Sequence, residues 1–431
     1  MRNRTQRVQG IVGKMAIMDI TTQIMNVFKG RQNSWGLDAF IEYCKCGPYK
    51  LRTIVPSSGR FGIVRYVKEQ SDFQLPETPY FRSVIFDKET GKIVSVAPRK
   101  SVSPVNDWKQ PVVGDWSHVE RIEEFIDGTM INIFQVANDP TIHIATRSRV
   151  GGNTTFYEGG PTFEAMLREA CPNLDTFFEG SSDNVYSRFA SIVLQHPANR
   201  IVVPVKKPAI YVVQAGVVNQ DGSIWIDNET FANYRPPIHD LIKAKTVGLH
   251  TLLRNIESEQ DIYSQGIVIY MNDGTRARYR TRLYERVRRL RGNESVTYER
   301  FARLRREAAL EKYLPYYPED KDAFYQVEGR LRSQTRTLFH MYMNVFVKRS
   351  QKFEDCPWPF KHHVSVLHNL YKETLKAQNK KVDMNYVINY TNKLSQEDMN
   401  NLIKFVKPKI VEEWVKPSTD GLRNAPPLPD E

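Results

Sequence analysis

Residues Val119 to Gly152 read VERIEEFIDGTMINIFQVANDPTIHIATRSRVGG, and the fold follows from how this stretch divides. Asp127-Gly128 is a turn signal, and behind it Met130, Ile131, Ile133 and Phe134 mix with polar residues as a strand does. Asn138-Asp139-Pro140 breaks the chain. Ile142, Ile144 and Thr146 then alternate with His143 and Ala145, and the strand runs into Thr146-Arg147-Ser148-Arg149. The expectation is a hairpin of two strands with an Asp-Gly at one end and two arginines at the other. Such a hairpin is a floor and wall for a phosphate site; on this window alone it is equally a surface hairpin with basic ends.

The 431 residues give room for two or three domains. Hydrophobic residues make up 41% and charged residues 26%, the balance of a soluble globular chain. A net charge of +12 favours anionic partners, nucleic acid first. There is no run of 18 apolar residues, so no membrane span is expected. The basic N-terminus lacks the long apolar core of a secretory signal; a mitochondrial presequence is the weaker alternative. Cys44, Cys46, Cys171 and Cys356 form no CxxC pair, which points to a reducing compartment such as the cytoplasm.

Outward from the opening stretch, Leu51 to Tyr66 reads as strand, Pro-Ser-Ser-Gly turn and strand. Phe81 to Val96 reads as two strands around Lys88-Glu89-Thr90-Gly91. Phe163 to Ala170 is a short helix. Arg200 to Pro204 and Ile210 to Val213 are expected as strands joined by a turn at 205–208. Ile267 to Met271 and Arg276 to Arg282 are expected as strands around Asn272-Asp273-Gly274. From about 292 the pattern is helical, over 298–313, 322–347 and 362–378, with another short helix opening at Ser395. The tail 408–431 is rich in proline and polar residues and is expected to be disordered.

Four windows together resemble the bacteriophage-type RNA ligases of tRNA repair, covalent nucleotidyltransferases. Phe125-Ile126-Asp127-Gly128-Thr129 stands where that family has Lys-x-Asp-Gly-Ser/Thr, and Thr146-Arg147-Ser148 stands at its basic strand end. Arg82-Ser83 matches an Arg-Gly; the KFFN-like end that follows in the family falls near Ser101 to Pro104 with little left of it. Pro197, Asn199, Arg200, Ile201 and Val202 match the third motif, whose phenylalanine and glutamate fall on Ile192 and Val193. Gln265-Gly266 replaces Glu-Gly, Arg278 and Arg280 replace two lysines, and Tyr284 keeps the tyrosine. The resemblance spans about residues 51 to 290. It implies an α+β fold: an antiparallel-sheet nucleotidyltransferase (ATP-grasp-like ligase) domain at 51–290, preceded by an extension at 1–50 and followed by a helical domain at 291–407.

Covalent nucleotidyl transfer needs an amine whose lone pair attacks the α-phosphate. A phenyl ring at 125 has none. Gln265 lacks the charge by which a carboxylate holds a divalent metal, and Val193 accepts no hydrogen bond. The resemblance therefore implies a degenerate ligase with no catalytic residue. It assigns phosphate or nucleotide contact to Arg82, Asp127, Gly128, Arg147, Arg200, Arg278 and Arg280. For Arg82 a plain exposed strand arginine is the other reading. The rival is an active ligase, using ATP and magnesium, with its nucleophile moved to Lys100, Lys109, Lys206 or Lys207. A third reading is a structural virion component: EEFIDGTMINIF and IATRSRVGG resemble the style of large DNA viruses and phages, with a viral factory or virion as location.

Arg276 to Arg291, RARYRTRLYERVRRLR, holds eight arginines and one acid, Glu285. In a strand Arg276, Arg278, Arg280 and Arg282 share one face, with Arg286 and Arg289 continuing on a helix. Packed like charges repel unless an anion lies against them, so RNA is the expected partner, with Tyr279 and Tyr284 at hand. Charged protection of an exposed sheet edge is the bland alternative. Cys356, His362, His363 and His368 match no standard zinc spacing and read as a turn followed by a helix. The tyrosines of the helical part read as core before base-stacking platforms. That helical part is also the candidate surface for a protein assembly partner.

Overall fold

A computed structural model of the chain describes residues 18–32, 35–102, 116–178, 184–227, 230–259 and 261–405. Lys109, Ser103-Pro104 and the proline-rich tail 408–431 lie outside the described residues. The chain forms two compact units, Met1–Arg288 and Arg289–Glu431. It is an α+β protein with antiparallel sheets in the first unit and helices in the second.

The first seven strands are β1 Met18–Asp19, β2 Leu51–Ile54, β3 Phe61–Tyr66, β4 Val84–Asp87, β5 Ile93–Val96, β6 Val119–Glu124 and β7 Thr129–Val136. They are followed by β8 His143–Thr146, β9 Val185–Gln195, β10 Ala209–Asn219, β11 Ile224–Ile226, β12 Gly266–Met271 and β13 Arg276–Arg280. They build a six-stranded sheet in the order β1-β11-β10-β9-β7-β8, a four-stranded sheet β2-β3-β4-β5 and a three-stranded sheet β13-β12-β6. The opening stretch divides between two of these. β7 and β8 form the expected hairpin, with Ile131 opposite Thr146 and Ile133 opposite Ile144. β6 pairs instead with β12 in the three-stranded sheet. Phe125 to Gly128 is therefore the step from one sheet to another.

Strand alternation sorts the six-stranded sheet into two apolar faces. Ile131, Ile133, Ala190, Ile192 and Leu194 pack with Met166 and Leu167 of helix α3 (Phe163–Ala170), where α1 is Thr21–Gln32 and α2 is Leu37–Cys46. Phe134, Val136 and Phe189 face the four-stranded sheet and share a core with Phe28 of α1, Phe40 of α2 and Phe86. Phe28 lies 4.8 Å from Phe40 and 5.7 Å from Phe86, centroid to centroid. Of the extension expected at 1–50, the described helices α1 and α2 thus contribute Ile24, Val27, Phe28, Phe40 and Cys44 to the core of this unit. The three-stranded sheet buries Ile122, Ile267, Ile269 and Ala277 against α4 (Leu241–Val247) and α5 (Leu249–Ser258).

Two strand expectations change. Residues 201–203 form bends rather than a strand. The backbone N–H groups of Val202 and Val203 both donate to Oδ2 of Asp127 at 2.9 Å, so they are unavailable to a ladder. Arg282 leaves the strand and opens α6 (Arg282–Arg291). There Thr281 Oγ1 accepts the Tyr284 N–H at 3.1 Å, and Glu257 accepts the Arg282 N–H at 2.8 Å, which turns the chain into a helix.

The second unit contains α7 (Thr297–Arg306), α8 (Leu310–Tyr313), α9 (Lys321–Tyr342), α10 (Phe360–Leu370), α11 (Met384–Asn392) and α12 (Gln396–Lys404). Ser395 caps α12 by accepting the Asp398 N–H at 3.0 Å. Tyr313, Tyr317 and Tyr342 are buried, while Tyr325 is 77% exposed. His363 faces the Tyr390 hydroxyl at 2.8 Å and His368 stacks on Phe346 at 3.6 Å. No helix among the described residues is long and apolar enough to cross a membrane.

Candidate anion site

The three-stranded sheet has two unlike faces. Cross-strand pairs set Tyr270 opposite Arg276 and Arg121, Val268 opposite Arg278 and Glu123, and Gly266 opposite Arg280. These side chains therefore share the face turned away from α4 and α5. At its β6 end the charges are paired. Arg121 bonds Glu123 at 2.9 Å and Glu120 at 2.8 Å, lies 3.7 Å from the Tyr270 ring centre, and Arg235 also pairs with Glu123.

Along β13 the pairing stops. Arg276 is 8% exposed; one of its terminal nitrogens bonds the Arg99 carbonyl at 3.3 Å and its Nε has no partner. Arg280 lies 5.0 Å from the Phe125 ring and 5.9 Å from Tyr284, and its Nε is likewise buried and unpartnered. From the hairpin end, Arg147 sits 4.9 Å over Tyr66 and bonds the Tyr66 carbonyl at 3.5 Å. The Nε atoms of Arg147 and of Arg65 on β3 are buried without partners. Arg65, Arg82, Arg147, Arg278 and Arg280 form no ion pair among the described residues.

These guanidiniums act on one another. Burial, then repulsion from Arg276, Arg147 and Arg278, brings Arg82 down to about 10. Burial, with Arg278 and Arg288, brings Arg280 to about 10. Burial and neighbouring arginines also lower Arg278 and Arg65, and burial with Arg278 and Lys68 lowers Lys100. All stay charged at neutral pH. Glu285 is the one carboxylate among the charges acting most strongly on this group.

The sequence-derived residues thus separate. Arg82, Arg147, Arg276, Arg278 and Arg280 converge. Asp127 does not present its carboxylate to them: Oδ2 accepts the Val202 and Val203 N–H groups and Oδ1 accepts the Tyr284 hydroxyl at 2.6 Å. Gly128 is a packing glycine, since a Cβ there would lie 2.5 Å from the Leu194 carbonyl and 2.8 Å from Val193. Arg200 bonds the Val202 carbonyl through Nε and Nη2 at 3.0 and 2.9 Å. Arg282 and Arg286 are exposed on α6, and Arg289 belongs to the second unit. Arg82 is half-buried rather than exposed. Lys206 and Lys207 are exposed. Sequence reasoning missed Arg65: no motif marks it, and only the β3 register brings it to Arg147.

On the outer side of β13, Val102 makes a parallel bridge to Ala277. Its N–H donates to the Arg276 carbonyl at 2.8 Å, and its carbonyl accepts the Arg278 N–H at 3.0 Å.

No protein-family model matches the chain. No curated protein matches it either. Among solved structures, one described as "Archaeal ATP-dependent RNA ligase - form 1" is similar over 65% of this chain and 68% of its own, with 11% sequence identity and a TM-score of 0.35.

Proposed function

We propose that this chain is a ligase-like protein without nucleotidyl-transfer chemistry that binds RNA or nucleotide phosphates through the arginine cluster. The carrying observation is the set of half-buried, mutually repelling guanidiniums around Arg82 and Arg278, with Arg276 buried beside them, four buried and unpartnered Nε atoms and almost no opposing acid. Holding such charges together in a protein interior is costly unless an anion compensates them. The position of the absent nucleophile supports the loss of chemistry. Phe125 lies under the Arg280 guanidinium, and a phenyl ring forms no phosphoramidate. Arg282 and Arg286 extend the positive surface along α6 for nucleic acid. Arg289 and a helical-unit partner belong to this proposal as sequence expectations.

One observation favours the rival, an active ligase with a displaced nucleophile. Lys100 feels Arg278, and burial lowers its pKa, as an attacking amine requires. Its ammonium, however, lies 4.6 Å over the Phe73 ring. Incubation with α-labelled ATP or GTP and magnesium, followed by a denaturing gel, separates the two readings. The proposal expects no labelled protein band. A band abolished by Lys100→Met establishes the rival. RNA binding is tested by titration over a range of salt, where the proposal expects affinity to fall steeply as salt rises.

A further inference from the structure

β13 offers a periodic row of arginines about 7 Å apart, the spacing of alternate residues on a strand. A row of this kind on an open surface would suit an extended nucleic-acid backbone. The row is not open. Arg276 is 8% exposed and tied to the Arg99 carbonyl, and Arg82 lies within the repulsion of Arg276 and Arg278 of this row and of Arg147 at the end of β8. A continuous strand of RNA cannot lie along a face whose first guanidinium is buried. What can enter is a compact group carrying several negative charges, or the end of a chain that bears one.

The walls also choose the ionic form. Triphosphates in water ordinarily travel with a divalent cation, which cancels two of their charges. Here the charge-neutralising role is filled by Arg82, Arg147, Arg276, Arg278 and Arg280. Position 265 is a buried glutamine, and Glu285 is the one acid among the leading charges. A divalent ion brought in with the ligand would be repelled by these side chains, and the ligand would arrive with less charge to offer them.

We propose that the arginine cluster takes a triphosphate group end-on as the free polyanion, its guanidiniums standing in for the divalent cation. The inference rests on the anion-binding reading above and sharpens it to one ligand chemistry. Free tripolyphosphate, a nucleoside triphosphate and a 5′-triphosphorylated RNA end all present that group.

The test is calorimetric titration of the full chain with inorganic tripolyphosphate, ATP and orthophosphate, each in EDTA and again in excess magnesium. The expected result is tripolyphosphate affinity at least tenfold above orthophosphate, and tenfold or more weaker with magnesium. ATP affinity similar to tripolyphosphate assigns the contact to the triphosphate alone; a further gain assigns part of it to the nucleoside. A short RNA bearing a 5′-triphosphate is then compared with the same RNA ending in a hydroxyl, and displacement by tripolyphosphate identifies the terminus as the source. Arg82→Met and Arg147→Met should each lower affinity tenfold or more, while Arg168→Met on α3 should leave it unchanged; circular dichroism verifies that each variant folds. Magnesium that strengthens binding, or orthophosphate that binds as well as tripolyphosphate, overturns the inference. RNA that binds equally with a 5′-hydroxyl and resists displacement by tripolyphosphate also overturns it, yet leaves RNA binding standing. A labelled covalent adduct defeats the non-catalytic reading instead.

Discussion

The hydroxyl of Tyr284 donates to Oδ1 of Asp127 across 2.6 Å, joining the start of α6 to the step between β6 and β7. The other carboxylate oxygen holds Val202 and Val203, so one buried acid pins three segments far apart in sequence. Burial and the adjacent carboxylate raise the Tyr284 pKa, which keeps the phenol a donor. Tyr284→Phe leaves Oδ1 without its partner. The loss should be about 1–3 kcal/mol, read as a lower urea midpoint with unchanged slope.

At the next residue the constraint is steric. Gly128→Ala places a methyl group 2.5 Å from the Leu194 carbonyl, a backbone atom in the central strand β9 that cannot yield easily. A cost of about 1–3 kcal/mol is expected in the same denaturation experiment. Anion affinity measured on the remaining folded fraction should stay close to that of the parent chain.

Arginines in the cluster should oppose stability while serving binding. Arg280→Met removes a cation that burial, Arg278 and Arg288 already disfavour. The free protein should gain on the order of 1 kcal/mol after allowance for solvent screening. Polyanion binding should weaken in the same variant. A fall in both stability and affinity would mean the guanidinium chiefly supports packing.

On the exposed side of α6 the expectation differs. Arg282→Ala and Arg286→Ala should leave the urea midpoint within about 0.5 kcal/mol of the parent. If these side chains meet RNA phosphates, each substitution should flatten the salt dependence of binding, by up to about 0.7 in the log–log slope for single strands.

The helical unit carries a pH response of its own. Burial lowers the His363 pKa from 6.5 to about 4, with Asp398 opposing and His362 reinforcing the shift, and Tyr390 against its ring. The unfolded chain then binds the extra proton first, so stability is complete above pH 6.5 and declines as pH falls toward 4. The contribution is roughly 3 kcal/mol. Urea midpoints of the full chain between pH 7 and 4.5 should fall accordingly, and His363→Gln should flatten that fall.

Much of the first unit was legible because its turns are local. Pro56 to Gly59, Lys88 to Gly91 and Asn272 to Gly274 mark hairpins that the strands on either side then complete. Residues 201–203 misled because their β-branched residues favour a strand, whereas their N–H groups are claimed by a carboxylate 75 residues away. Helices α4 and α5 were not among the elements expected from the sequence, although Leu249, Leu252, Leu253 and Ile256 fall at helical spacing and Asp240 caps α4 by accepting the Ile242 and Lys243 N–H groups. At the candidate site the arginines of β13 stood out by their density. That Asp127, Gly128 and Arg200 would serve the scaffold was not readable, since the partners of each come from distant strands and loops.

The bridge from Val102 to β13 bears on why those arginines persist. Two main-chain groups on the strand's outer rim are already satisfied by the protein's own chain, so a neighbouring molecule has little there to zip onto. Gatekeeping against fibril growth is then a poor explanation for cations pointing inward from a rim that is already plugged. On the proposed reading, the repulsion stored among them is offset by an anion that arrives from outside the polypeptide.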